Sequence, residues 1–125
     1  CSHWSKVLRG EAEGLYNQGN VAIVQNGHLH DYERTWPVYE NNCTQRNNQD
    51  PTAPIYVTNG AAGNREGETH FEGLQPWSVF RTTAVGYMVA EYSVNAAKAV
   101  GTMNATFFRS RDNSALDKFV LSKRL

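Results

Sequence analysis

Val21-Ala22-Ile23-Val24-Gln25-Asn26-Gly27-His28-Leu29-His30-Asp31-Tyr32-Glu33-Arg34 is the stretch on which the reading of this chain turns. A short apolar run leads through Gln25-Asn26-Gly27 into two histidines one residue apart. A strand that stops at a glycine can deliver side chains to its own end, because glycine lets the backbone turn. In extended chain, residues i and i+2 point the same way, so His28 and His30 can face one inorganic centre. Imidazole suits zinc and iron. Two ligands from one turn can also serve two metals held about 3.5–4 Å apart, as in many phosphatases. A bare His-x-His reads equally as one surface histidine beside one that hydrogen-bonds the backbone.

Working outward, 125 residues make one domain at most, with a modest core. The net charge is zero and no basic cluster exceeds a few residues, so charge alone does not indicate nucleic-acid binding. No apolar run approaches the roughly 20 residues that span a bilayer. Cys1 and Cys43 allow a disulfide, pairing with residues outside this chain, or two free thiols. Asn42-Cys43-Thr44 and Asn104-Ala105-Thr106 are glycosylation sequons, which fit a secreted or vesicular protein.

Residues 4–18 read as one helix, with Leu8, Ala12 and Leu15 at helical spacing and Gly19-Asn20 as its stop. Residues 21–25 read as a short strand buried on both faces. Residues 41–54 read as an exposed, mobile polar loop. A strand over 55–58 ends in a Gly/Asn-rich loop. From Val85 the pattern alternates, predicting strands over 87–94, 99–108 and 118–121 with turns at 95–98 and 111–114. The expectation is an α/β domain with more strand than helix, its antiparallel meander closing one side of a two-layer core.

The flanks of the two histidines carry more. Gly27-His28-Leu29-His30-Asp31-Tyr32-Glu33-Arg34 resembles the last metal-ligand motif of the purple acid phosphatases, within the calcineurin-like metallophosphoesterases. Residues 56–67 resemble that family's glycine-rich loop. Trp77-Ser78 with Phe80-Arg81 and Val85-Gly86-Tyr87 resemble its following aromatic segment. Asn104-Ala105-Thr106 and residues 117–121 resemble its closing strands. The likeness runs from about Cys1 to Leu121.

The resemblance implies that residues 1–125 are the C-terminal portion of one metallophosphoesterase catalytic domain, a partial four-layer β-sandwich. It implies an acid phosphatase that hydrolyses phosphomonoesters at a binuclear centre of Fe(III) with Zn(II), Mn(II) or Fe(II). His28 would take the divalent site and His30 the ferric one. Small phosphate esters are the implied partners, with neither nucleic acid nor membrane. The implied location is secreted, extracellular or vacuolar-lysosomal. The opening at Cys1, in mid-sequence, fits a piece whose remaining domain lies upstream. The family motifs Gly-Asp-x-Gly, Gly-Asp-x-x-Tyr and Gly-Asn-His-Glu/Asp are absent from these residues, so the isolated chain is expected to be inactive. Phosphodiester or nucleotide hydrolysis is an alternative substrate class. A non-catalytic β-rich binding module is an alternative of another kind.

Other residues read less sharply. Tyr32, Glu33 and Arg34 read as structural support, with Arg34 pinning the loop through charge-assisted hydrogen bonds. Asp31, Asn26 and backbone carbonyls are the nearest groups able to fix the histidine tautomers. Residues 59–67 lack the order of a nucleotide P-loop; if the loop shapes a substrate mouth, Asn64 and Arg65 reach into it. His3 reads as a loop residue that would line the phosphate site, and His70 as a surface histidine. Trp36, Trp77, Phe80 and Tyr87 read as core or lid aromatics.

Overall fold

A computed structural model describes residues 3–63 and 65–125, with side chains from residue 9 onward. Helix α1 spans His3–Gln18. Asn20 closes it in the left-handed conformation, at φ 54°. The amide of Asn20 donates to the Asn17 carbonyl (3.1 Å) and that of Val21 to the Tyr16 carbonyl (2.9 Å). These two bonds satisfy carbonyls that a helix end otherwise leaves bare. His3 is therefore the first residue of a helix rather than part of a loop. A helical pattern starting at Trp4 extends one residue further back than expected.

Nine strands follow among the described residues. β1 (Ile23–Asn26), β2 (Tyr32–Thr35), β5 (Ile55–Asn59) and β6 (Ser78–Thr82) form a mixed sheet in the order β1-β5-β2-β6. β1 runs parallel to β5, with Ile23 opposite Ile55, whereas β2 is antiparallel to both β5 and β6. β3 (Val38–Tyr39) and β4 (Asn42–Cys43) make a small hairpin. β7 (Gly86–Asn95), β8 (Val100–Arg109) and β9 (Ala115–Arg124) form the antiparallel meander.

The two larger sheets share one core. Tyr32, Ile55 and Val57 meet Met103, Ala105, Phe107, Phe119 and Leu121 across the gap. The Tyr32 and Phe107 rings stack with centroids 4.0 Å apart and planes inclined by 19°. Each fully buried apolar side chain of this size contributes about 1.5–3 kcal/mol over leaving it exposed. Arg9 and Glu13 of α1 reach Asn41 and Glu40, beside the mixed sheet. Helix, mixed sheet and antiparallel sheet give three layers, and strand exceeds helix among the described residues.

Three expectations need correcting. β1 is half-buried at one end and exposed at the other, because it lies at the sheet edge with β5 as its one neighbour there. The 41–54 segment is not a free loop: Pro51, Ala53 and Pro54 are buried. Gln49 bridges Ser122 of β9, and the Asp50 amide donates to the Ser122 carbonyl at 2.7 Å. Polar composition hid that anchoring, which is made by backbone. Tyr87 is 43 % exposed on the outer face of β7, not core or lid; its hydroxyl donates to Asn113 Oδ1 at 3.2 Å. Trp36, Trp77 and Phe80 are half-buried, Phe80 against the core.

Candidate metal centre

β1 ends at Asn26 and β2 begins at Tyr32, so residues 27–31 are a tight turn at the end of the mixed sheet. His28 is exposed and sits in the left-handed region, at φ 74°. That conformation is uncommon for a residue with a β-carbon and is one that histidine adopts more readily than most. The turn rests on the backbone of the loop after β5. The Gly60 amide donates to the Asp31 carbonyl at 3.1 Å. A β-carbon at position 60 would lie 1.9 Å from the Leu29 carbonyl oxygen. Only glycine permits that approach.

His30 is held more tightly. Its amide donates to Thr69 Oγ1 at 2.8 Å, and the Thr69 amide returns to the His30 carbonyl at 3.3 Å. The ring Nδ1 lies 3.0 Å from the Gly67 carbonyl oxygen. A carbonyl only accepts, so this contact assigns the proton to Nδ1 and leaves Nε2 with the ring's free lone pair. Of the groups considered for fixing a tautomer, a backbone carbonyl from the glycine-rich loop is the one in place at His30. A cavity of about 270 Å³ opens beside His30, bounded by Gly60, Gly63, Gly67, Glu68 and Val85.

The opposite side of the turn is acidic. Asp31 is buried, 3 % exposed, and its Oδ1 has no hydrogen-bond partner among the described residues. Burial raises its carboxyl above the ordinary range, and the neighbouring Glu33 charge adds to the rise. A second cavity of about 620 Å³ adjoins Asp31, Glu33, His70 and Arg81. His70 is exposed there.

Behind the turn, β2 is fastened to the other sheet. Arg34 donates to Asp117 twice, Nε to Oδ2 at 2.7 Å and Nη2 to Oδ1 at 2.9 Å. The Tyr32 hydroxyl donates to the same Oδ2 at 2.9 Å. The Arg34 guanidinium lies over the Phe119 ring, 4.7 Å from its centroid. Burial, with Asp117 beside it, pushes the Tyr32 phenol above its usual value. Asp117 was not singled out in the sequence as a site residue. Its sole signal is an acid in an apolar strand whose neighbours Leu116, Phe119 and Leu121 face inward or are part-buried. Gly60 and Thr69 were also missed, since contacts between residues about 30 to 40 positions apart leave no mark in a residue pattern.

His28 and His30 thus share one turn, with His30 facing the glycine-rich loop. Arg65 on that loop is exposed. Asn64, Cys1 and the His3 side chain lie outside the described residues. Cys43 is a half-buried free thiol. Asn42 on β4 and Asn104 on β8 are exposed. Among the described residues no three His, Cys, Asp or Glu side chains cluster to hold a metal. A catalytic zinc site alone usually takes three protein ligands. The two imidazoles therefore fit as part of a donor set, not as a whole one. No helix of the described residues is long and apolar enough to cross a membrane.

Comparison with known proteins bears on this geometry. Residues 53–118 match the family model described as "Iron/zinc purple acid phosphatase-like protein C". Zebrafish (Danio rerio) acid phosphatase type 7 is 38 % identical over 102 residues, covering 70 % of this chain and 23 % of that protein. Purple acid phosphatase 18 of Arabidopsis thaliana is 36 % identical over 102 residues, covering 80 % and 22 %. "Probable inactive purple acid phosphatase 1" of the same plant is 33 % identical over 120 residues, covering 92 % and 18 %. Among solved structures, the purple acid phosphatase PPD1 from yellow lupin seeds superposes with a TM-score of 0.75 at 25 % identity, over 90 % of this chain and 19 % of that one. The chain spans about a fifth of the length of these relatives.

Proposed function

The chain belongs to the purple acid phosphatase family, and from that premise we propose that it is the C-terminal portion of a metal-dependent acid phosphatase domain hydrolysing phosphomonoesters. The single observation that carries the proposal is the Nδ1 contact of His30 with the Gly67 carbonyl. It leaves Nε2 free at the edge of a cavity, as a metal-binding imidazole requires. The family is one of binuclear metal centres. In this reading His30 holds the ferric ion and His28 the divalent one, zinc, manganese or iron, with the remaining ligands supplied by upstream sequence. Such a pair of cations, when bound, acidifies water and neutralises phosphate charge.

This chain's own residues do the positioning. The Gly67 carbonyl and Thr69 fix the His30 ring and backbone, Gly60 seats the turn, and the Arg34–Asp117 pair holds β2 in register beneath it. Arg65, with Asn64 beside it in sequence, is the group on this loop that would meet substrate phosphate, and His3 is a further candidate from the start of α1. The open edge of β1 supports an upstream half: Ile23, Tyr92, Val94 and Leu125 line an apolar groove of about 250 Å³ beside it. The protein is proposed to be secreted, extracellular or vacuolar-lysosomal, and glycosylated.

One observation favours a second reading. A relative matched over 92 % of this chain is named as probably inactive, so the parent would then be a non-catalytic member that keeps the fold and the turn.

The test uses the parent protein with its upstream sequence. Metal content per chain and turnover of a phosphomonoester are measured for wild type, His28→Ala and His30→Ala. Loss of metal and of turnover in both variants supports the hydrolase. Metal retained in both variants removes the ligand assignment, and bound metal without turnover in wild type selects the non-catalytic reading. The isolated 125-residue chain is expected to show no metal-dependent turnover.

A further inference from the structure

We propose that Asp31 is half of an ion pair that the longer protein completes: a lysine or arginine of the upstream sequence enters the cavity beside Asp31 and Glu33 and donates to the Asp31 carboxylate. This rests on the reading of the chain as the C-terminal portion of a larger domain, not on catalysis. The observation that carries it is burial, which further chain packed on this one can only deepen. Asp31 is 3 % exposed, and its Oδ1 is shut off from solvent with no hydrogen-bond partner among the described residues. Buried acceptors are nearly always satisfied, and buried carboxylates are nearly always paired.

The alternation of side chains around β2 explains why this carboxylate has no partner of its own. Tyr32 and Arg34 turn to Asp117 in the core. Asp31 and Glu33, which alternate with them, line the cavity of about 620 Å³ instead. Two arginines line it as well, and both are engaged elsewhere. Arg9 Nη1 donates to Asn41 Oδ1 at 2.6 Å. Arg81, opposite Glu33 on β6, donates to the Gly73 carbonyl and lies over the Phe71 ring, 4.8 Å from its centroid. Among the described residues neither Asp31 nor Glu33 forms a salt bridge.

The charge of the partner follows from this pair of acids. Two carboxylates at one cavity repel each other, and a neutral donor leaves that repulsion standing. A cation relieves it, and an ammonium or guanidinium carries donors enough for both groups. The cavity has room for such a side chain. The chain spans about a fifth of its relatives' length, so the parent has ample sequence from which to supply one. Asp31 directly follows His30. The pair therefore fastens the upstream portion to the turn that carries both histidines.

A crystal structure of the parent should show an upstream lysine Nζ or arginine guanidinium nitrogen within about 3 Å of an Asp31 carboxylate oxygen. A water, a metal ion or a neutral donor in that place overturns the proposal. Melting curves of the parent then test the pairing. Asp31→Asn keeps the shape and removes the charge; it and replacement of the cation by methionine should each lower the unfolding temperature by several degrees. The double variant should lose less than the two single variants together. Additive losses, or an Asp31→Asn protein as stable as wild type, overturn the pairing. Glu33→Gln carries the same cycle should Asp31→Asn fail to fold. Metal content and turnover of wild type are measured on the same sample. A parent that shows the coupling but neither metal nor turnover sinks the hydrolase reading alone.

Discussion

Arg34 and Asp117, on β2 and β9 of different sheets, form a two-pronged ion pair with both side chains 7 % exposed. The pair also accepts the Tyr32 hydroxyl, so three polar groups cross the core at one carboxylate. Removing one partner of a buried pair leaves the other charge unpaired, which costs about 3–5 kcal/mol. Asp117→Asn should therefore lower the urea midpoint strongly, while Arg34→Met combined with Asp117→Leu should restore most of the loss. Denaturation curves of the single and double variants check this. A single variant as stable as wild type would mean that the carboxylate does not hold the sheets together.

Gly60 is the contact on which the histidine turn sits. Alanine there drives a β-carbon to 1.9 Å from the Leu29 carbonyl oxygen, backbone that cannot swing aside like a flexible side chain. Overpacking of this kind costs about 1–3 kcal/mol. Gly60→Ala in the parent protein should lower metal content more steeply than its loss of stability explains, because Leu29 lies between the two histidines. Metal analysis beside a melting curve separates the two effects. Full metal occupancy in a destabilised variant would show that the turn tolerates displacement.

Local physics made much of this fold legible. The helix ended where Gly19-Asn20 said it would, since Asn20 tolerates the left-handed close. The β7–β8 hairpin was readable because the turn residues at 95–98 separate two strand-like runs, which pair over ten residues on each side without a register shift. Non-local contacts were not readable. β2 and β6 lay inside motifs read for chemistry, and β9 runs from Ala115 to Arg124, well beyond the expected 118–121, because the buried Asp117 and the closing Lys123-Arg124 break the apolar pattern at its two ends. The partner of Arg34 lies 83 residues away, and the carbonyl facing His30 lies 37 away. Neither separation leaves a periodic trace. The resemblance located the histidines, and the geometry added what fixes one of them.

Asp31 is buried with an oxygen that nothing among the described residues satisfies. An orphaned buried polar group costs about 1–3 kcal/mol, and the nearby Glu33 charge works in the same direction. Asp31→Ala should therefore stabilise the 125-residue chain by about 1 kcal/mol, allowing for the small cavity it leaves. Chemical denaturation of the two chains measures it. If the parent protein is instead destabilised by the same change, the carboxylate is paired there by an upstream group.

Alkaline pH offers a test of how α1 sits on the mixed sheet. Tyr56 of β5 has its phenol pushed up from 10.0 to about 12, by burial first and then by Glu13 and Tyr16 of the helix, against a lowering from Arg9. The neutral phenol is the form the folded state favours. Its contribution to stability is thus fully present below pH 10.0 and is lost as pH rises toward about 12. Tyr32, raised by burial and by Asp117, loses its contribution in the same direction. Near-ultraviolet titration should show delayed ionisation of these phenols, with unfolding setting in as they ionise. Tyr56→Phe should leave neutral-pH stability nearly unchanged and move the alkaline transition upward. An unmoved transition would mean that the Tyr56 hydroxyl meets water freely and that α1 does not cover it.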